Sequence, residues 1–199
     1  MKRIGDHFLG IDQATLLVDC RSQTDANRSA PMLSLLATSL IAVAIPAGDR
    51  PCPKGVIDQL DGLYQWQVQR MDQRGDAVKA LATQRQRFTP SLFELLMEAR
   101  QLTPTRDGRY LDFDVFSNTQ VMTFGATITG CSAEIENSIQ AKVNVQAGLR
   151  GRTGKPPRKL LYELNKGSTG NWRINDITYL NERVFQLKPF LQQLAKSMP

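Results

Sequence analysis

From Ile139 to Leu149 every second residue is apolar. Ile139, Ala141, Val143, Val145, Ala147 and Leu149 alternate with Gln140, Lys142, Asn144, Gln146 and Gly148. A period of two sends the two sets to opposite faces of a pleated strand, one buried and one wet. The neighbouring segments repeat the pattern. Val121–Thr129 is rich in β-forming residues, Leu160, Tyr162 and Leu164 alternate, and Trp172–Leu180 reads as the last strand. Arg150–Pro157 is a Gly/Pro/basic loop, and Lys166-Gly167-Ser168-Thr169-Gly170 is a turn.

Upstream the period changes. Val56, Leu60, Leu63, Tyr64, Val68 and Met71 are spaced by three and four, a helical stripe, after the rigid stretch Pro51–Gly55. Arg74-Gly75-Asp76 breaks it, and Ala77–Thr83 carries a short helical pattern. Thr89-Pro90-Ser91 marks another helix start, with Thr89 as cap and Pro90 in the first position. Leu92, Leu95, Leu96 and Ala99 are its expected buried stripe, and Thr103-Pro104 its end. A short amphipathic helix follows the last strand, with Pro189 at its start and Leu191 and Leu194 on one face. Strands after helices, joined by short turns, predict an α+β fold: N-terminal helices packed on one side of an antiparallel sheet.

A third pattern lies nearer the N-terminus. Leu33–Ala47, LSLLATSLIAVAIPA, is an apolar run of fifteen residues. A membrane-spanning helix needs about 20. The length and small-residue ending fit the core of a signal peptide, with cleavage expected after Ala44 or Ala47. Residues 1–47 then form a leader and residues 48–199 one domain, placed in the periplasm or secreted. The 32 residues before the run carry Lys2, Arg3, Arg21 and Arg28 against Asp6, Asp12, Asp19 and Asp25. Such a mixed head suits a start further downstream, at Met32 or Val18. The competing reading is a buried core helix of a cytoplasmic protein, although the run has no polar face at helical spacing.

The leader's charges cancel, so the domain keeps the whole +6, a mild excess able to attract anionic surfaces. The single histidine, His7, falls in the leader. Without imidazole the domain has no base for a Ser-His-Asp or Cys-His system and no histidine ligand for zinc, copper or iron. Proton transfer would fall to carboxylates, Lys or Tyr. Of three cysteines, Cys20 is lost with the leader, and Cys52 and Cys131 remain. An oxidising compartment predicts a disulfide between them; two unrelated thiols are the alternative.

In the last strand, Trp172 and Ile174 share one parity and Ile177 and Tyr179 the other, so a bulge near Asn175-Asp176 is needed to keep all four inward. Three helices, a curved antiparallel sheet and a closing strand of the type Gly-x-Trp-x-Ile-x-Asp-Ile resemble the nuclear-transport-factor-2-like (cystatin-like) superfamily. More narrowly, the chain resembles a family of exported bacterial domains of unknown function. That family typically shows a Tyr-x-Trp/Tyr helix, an Asp-x-Asp-Pro-Phe segment and this closing strand. The corresponding pieces are Tyr64-Gln65-Trp66, Asp112-Phe113-Asp114-Val115-Phe116, where Val115 replaces the proline, and Gly170–Ile177. The resemblance covers roughly Val56 to Leu194. It implies a cone-shaped domain whose sheet curls around a pocket, in a superfamily holding both enzymes and non-catalytic binding modules, so fold alone selects no activity.

The candidate pocket residues are Tyr64, Trp66, Asp112, Asp114, Tyr162, Trp172 and Asp176. A desolvated aspartate among them can abstract a proton and a tyrosine can steady an enolate. Equally, Asp112, Asp114 and Asp176 suit turns and bulges, where carboxylates bind backbone amides, and the aromatics suit a core. Asp112-x-Asp114 lacks the glycine and distal glutamate of a calcium loop, so no metal or cofactor is expected. The basic set Arg150, Arg152, Lys155, Arg158 and Lys159 has no interleaved aromatics, and with export this argues against a nucleic-acid partner. The expected function is a non-catalytic exported module for a small apolar ligand or a partner protein, with no membrane span after cleavage. The alternative is a carboxylate-dependent lyase or isomerase acting on a small organic substrate.

Overall fold

The structure, a computed structural model, describes residues 50–71, 76–103, 106, 110–149 and 156–196, all within one compact unit, Ala44–Pro199. The leader with Leu33–Ala47, His7 and Cys20, the break at Arg74-Gly75, the helix end at Pro104, and Arg150, Arg152 and Lys155 lie outside the described residues.

Among the described residues, three helices of a turn or more precede the sheet and one follows it. They are α1 (Lys54–Met71), α2 (Ala77–Ala82), α3 (Pro90–Gln101) and α4 (Leu187–Lys196), with a 3-10 turn at Arg85–Arg87. The strands are β1 (Met122–Cys131), β2 (Ser138–Gly148), β3 (Arg158–Lys166), β4 (Trp172–Tyr179) and the two-residue β5 (Phe185–Gln186). They form one antiparallel meander in chain order, β1-β2-β3-β4-β5.

The sheet follows the predicted parity. Ile139, Ala141, Val143 and Val145 of β2 are buried, as are Leu160, Tyr162 and Leu164 of β3. On β4 the register slips as expected: Glu163 pairs with Asp176 and Leu164 with Ile174, leaving Asn175 as the extra residue. That bulge returns Trp172, Ile174, Ile177 and Tyr179 to the buried set. The α1 stripe packs on β1 and β4 through Val56, Leu60, Leu63 and Tyr64.

Three helix details depart from the pattern. Thr89 occupies the cap position of α3 without a side-chain cap bond; its hydroxyl turns to Asn175 Oδ1 at 3.3 Å, and its N–H bonds Ile174 O at 2.8 Å. Phe93, not Leu95, completes the α3 stripe. Pro189 is the third residue of α4, where its missing N–H is one that no helical carbonyl would reach.

Candidate functional site

Residues Asp114–Thr119 form a tight turn ahead of β1. Asp114 N bonds Thr119 O at 2.8 Å, Asn118 N bonds Asp114 O at 2.8 Å, and Asn118 takes a left-handed φ of 51°. The Asp114 carboxylate secures the turn from inside. Its Oδ1 accepts Phe116 N–H at 2.9 Å. Its Oδ2 accepts from Gln67 Nε2 at 2.6 Å and from Arg70 Nη2 at 2.5 Å. Gln67 is fully buried, and Arg70 stacks its guanidinium 5.0 Å from the Trp66 ring. The Trp66 ring in turn meets Phe116 edge-on.

Two tyrosines hold the same turn by its carbonyls. Tyr64 donates to Phe116 O at 2.9 Å, and Tyr179 donates to Val115 O at 2.9 Å. The Tyr162 hydroxyl lies 2.8 Å from that of Tyr64. With the Tyr64 proton committed to Phe116 O, the pair is a relay, Tyr162 to Tyr64 to backbone. Burial first, and the adjoining phenol second, pushes Tyr64 well above the ordinary phenol range. Burial likewise pushes Tyr162 and Tyr179 up. All three keep their protons at neutral pH and act as fixed donors inside the core.

The β4 bulge is a second polar hub. Asp176 Oδ1 accepts the N–H of Ile177 and of Lys188, both at 2.8 Å. Lys188 sits in the first turn of α4, so Asp176 satisfies a helix N–H that has no carbonyl partner. Burial is the largest influence on Asp176 and raises its pKa; the two amide bonds oppose it. Next to it, Asn175 bonds Glu163 Oε1 at 2.8 Å and receives Lys188 Nζ at 2.9 Å. Trp172 is 5% exposed, with its ring against α1: a Cβ added at Gly55 would stand 2.9 Å from Trp172 Cδ1.

Of the seven candidates, then, Tyr64, Tyr162 and Trp172 are core, Trp66 flanks it, and Asp114 and Asp176 are bound to backbone amides. Among the described residues, these six line none of the larger grooves. Asp112 alone is exposed, and it lines a groove of about 1050 Å³ at the β2–β3 end of the sheet. The groove walls are Phe113, Val121, Ala147, Leu149, Pro156 and Phe185, with Asn118, Arg158 and Glu182 among its polar groups. Arg158 and Glu182 are paired at 3.0 Å across the β3–β5 side. Phe113 anchors the floor, in edge contact with Tyr179 and Phe185 and packed on Phe190. Gln67, Arg70, Tyr179, Phe113 and Phe185 were not candidates by sequence. The double aspartate around Phe113 is the one local signal that points toward them.

Cys52 and Cys131 are joined by a disulfide, with Cα atoms 5.0 Å apart. Arg50 pairs with Cys131 through two backbone bonds of 2.9 Å beside it, so the bridge fastens the start of α1 to the end of β1. Among the described residues no cluster of His, Cys, Asp or Glu has a metal-binding arrangement, and no helix is long and apolar enough to cross a membrane. Set against family models, curated proteins and solved structures, the chain matches none of them.

Proposed function

We propose that this chain is an exported, non-catalytic binding module of the nuclear-transport-factor-2-like (cystatin-like) type, whose curved sheet holds a small apolar ligand in the groove bounded by Phe113, Val121, Leu149 and Phe185. The observation that carries the reading is the division of labour just described. Asp114 and Asp176 bind the Phe116, Ile177 and Lys188 amides, and the open concavity sets Phe113, Val121, Ala147, Leu149, Pro156 and Phe185 among polar residues that include Asp112, Asn118, Arg158 and Glu182. A general base must stand within reach of a substrate proton, and neither Asp114 nor Asp176 lines this groove. An apolar cleft of several hundred Å³ with a few polar groups is the usual form of a ligand site. The disulfide supports an oxidising compartment.

The lyase or isomerase reading retains one observation, the carboxylate of Asp112 on the groove lip. The test is a titration with the uncharged fluorophore N-phenyl-1-naphthylamine. The expected result is saturable binding at one site, unchanged in Asp112→Asn and weakened about tenfold or more in Leu149→Glu, since a charge in an apolar contact costs over 1.4 kcal/mol. Absence of saturation, or equal binding by Leu149→Glu, would overturn the proposal.

A further inference from the structure

Between two bulges, at Thr123/Gly125 and Ile128/Gly130, the outer edge of β1 presents main-chain groups that β2 does not use. Ser132 N–H bonds Gln140 O, and Gln140 N–H bonds Ser132 Oγ, so the even-numbered residues of β2 turn their main-chain groups toward β1. Their partners Gly130, Thr127 and Gly125 therefore point into the sheet. Ala126 and Ile128 lie between them and turn N–H and C=O outward, as an antiparallel ladder requires. Cys131 is also outward-facing, and its two groups are taken by Arg50 at 2.9 Å each. This edge thus already carries one antiparallel pairing. Pro51 and Pro53 then lead the chain away into α1, and no described residue hydrogen-bonds Ala126 or Ile128 on that side.

A groove of about 500 Å³ runs beside this stretch, between Ala126–Gly130 and the outer face of α1, where Ile57 and Asp61 form its wall and Arg50, Pro51 and Cys52 complete the lining. Ile57 is 36% exposed, and Asp61 is fully on the surface side of the helix. Residues four apart on a helix rise by about 6 Å. Residues two apart on a strand rise by about 6.7 Å and share a face. A strand laid along β1 can therefore set one side chain against Ile57 and the next on the same face against Asp61. A row of main-chain donors and acceptors is matched by another extended main chain, and the wall chemistry selects an aliphatic residue followed or preceded, two positions away, by a cation.

We propose that the β1 edge binds an extended peptide segment of a partner protein, paired to Ala126 and Ile128, with an aliphatic side chain on Ile57 and a lysine or arginine on Asp61. This surface is separate from the apolar groove near Leu149 and does not depend on that reading.

The probe is fluorescein-labelled Ser-Thr-Val-Thr-Lys-Thr-Ser, blocked at both ends, with anisotropy and amide NMR as readouts. The expected result is saturable binding that slows hydrogen exchange at Ala126 and Ile128. Asp61→Lys should weaken it about tenfold, the scale of one lost charged contact. Ala126→Pro removes an outward N–H without breaking a β1–β2 bond, as proline permits on an edge strand, and should weaken binding equally. If that variant melts early, the peptide N-methylated at its central threonine and lysine replaces it, and should fail to bind the parent chain. Absence of saturation, or binding indifferent both to Asp61→Lys and to backbone methylation, would overturn the proposal. So would protection of Ala126 and Ile128 that rises with protein concentration in the absence of peptide, because the edge would then belong to a second copy.

Discussion

Replacing Asp114 with alanine probes a partly buried polar hub. The carboxylate serves three donors at once: Phe116 N–H, Gln67 Nε2 and Arg70 Nη2. The side chains of Arg70 and Asp114 are only 18% and 12% exposed, so solvent replaces little of what is lost. A buried amide left without its acceptor costs about 1–3 kcal/mol, and the lost turn bond adds about 1 kcal/mol. Removing one partner of a largely buried ion pair brings the total to about 3–5 kcal/mol. Asparagine keeps an oxygen for Phe116 but offers an NH2 to Gln67 and Arg70, which are themselves donors, so it should fall between parent and alanine. Urea unfolding followed by far-UV circular dichroism gives the ranking, Asp over Asn over Ala. An alanine variant within 1 kcal/mol of the parent would refute the view that this carboxylate is a structural strut. A stable asparagine variant that loses a biochemical activity would instead return Asp114 to the list of catalytic acids.

Asp176 gives a pH test. Its pKa is raised in the fold by burial, so the stability it contributes is full below the ordinary aspartate range and is lost as pH rises through the raised value. Asp176→Asn lacks this term, so its stability relative to the parent should improve as pH rises above the ordinary aspartate range; a difference that is flat, or moves the other way, would contradict the assignment. Trp172→Ala should cost about 3–5 kcal/mol through lost burial and an unfilled space beside Gly55; a thermal melt within a degree or two of the parent would oppose the core placement. Reducing Cys52–Cys131, which closes a loop of 79 residues, should cost roughly 3–5 kcal/mol, and a non-reducing peptide map should recover the two cysteines linked.

Period-two sequences carried much of the fold. The β2 alternation, the parity conflict in Trp172–Tyr179 and the bulge that resolves it were all readable because they depend on residues a few positions apart. The role of Asp114 was not readable in full. The turn was implied by residue type, but its partners Gln67 and Arg70 lie 47 and 44 residues upstream, and a glutamine within a helical stripe carries no local sign of burial. Leu149 shows the opposite limit. Alternation assigns it to the apolar face, yet it is 61% exposed, because the pattern fixes a face and says nothing of whether a helix reaches far enough to cover it. The groove is assembled from Asp112–Val121, Ala147–Leu149, Pro156–Arg158 and Asn181–Phe185, four stretches with no shared motif. It becomes visible only once the meander brings them to one end of the sheet.

The central claim is that ligand binding occurs in that groove and not among the tyrosines and carboxylates of the core. Amide NMR titration with N-phenyl-1-naphthylamine locates the site directly. The account predicts shifts concentrated at Phe113, Asn118–Val121, Ala147–Leu149 and Asn181–Phe185, with Tyr64, Tyr162, Trp172 and Asp176 unmoved. Shifts centred on Tyr64, Tyr162 and Asp114, with the groove residues silent, would contradict it.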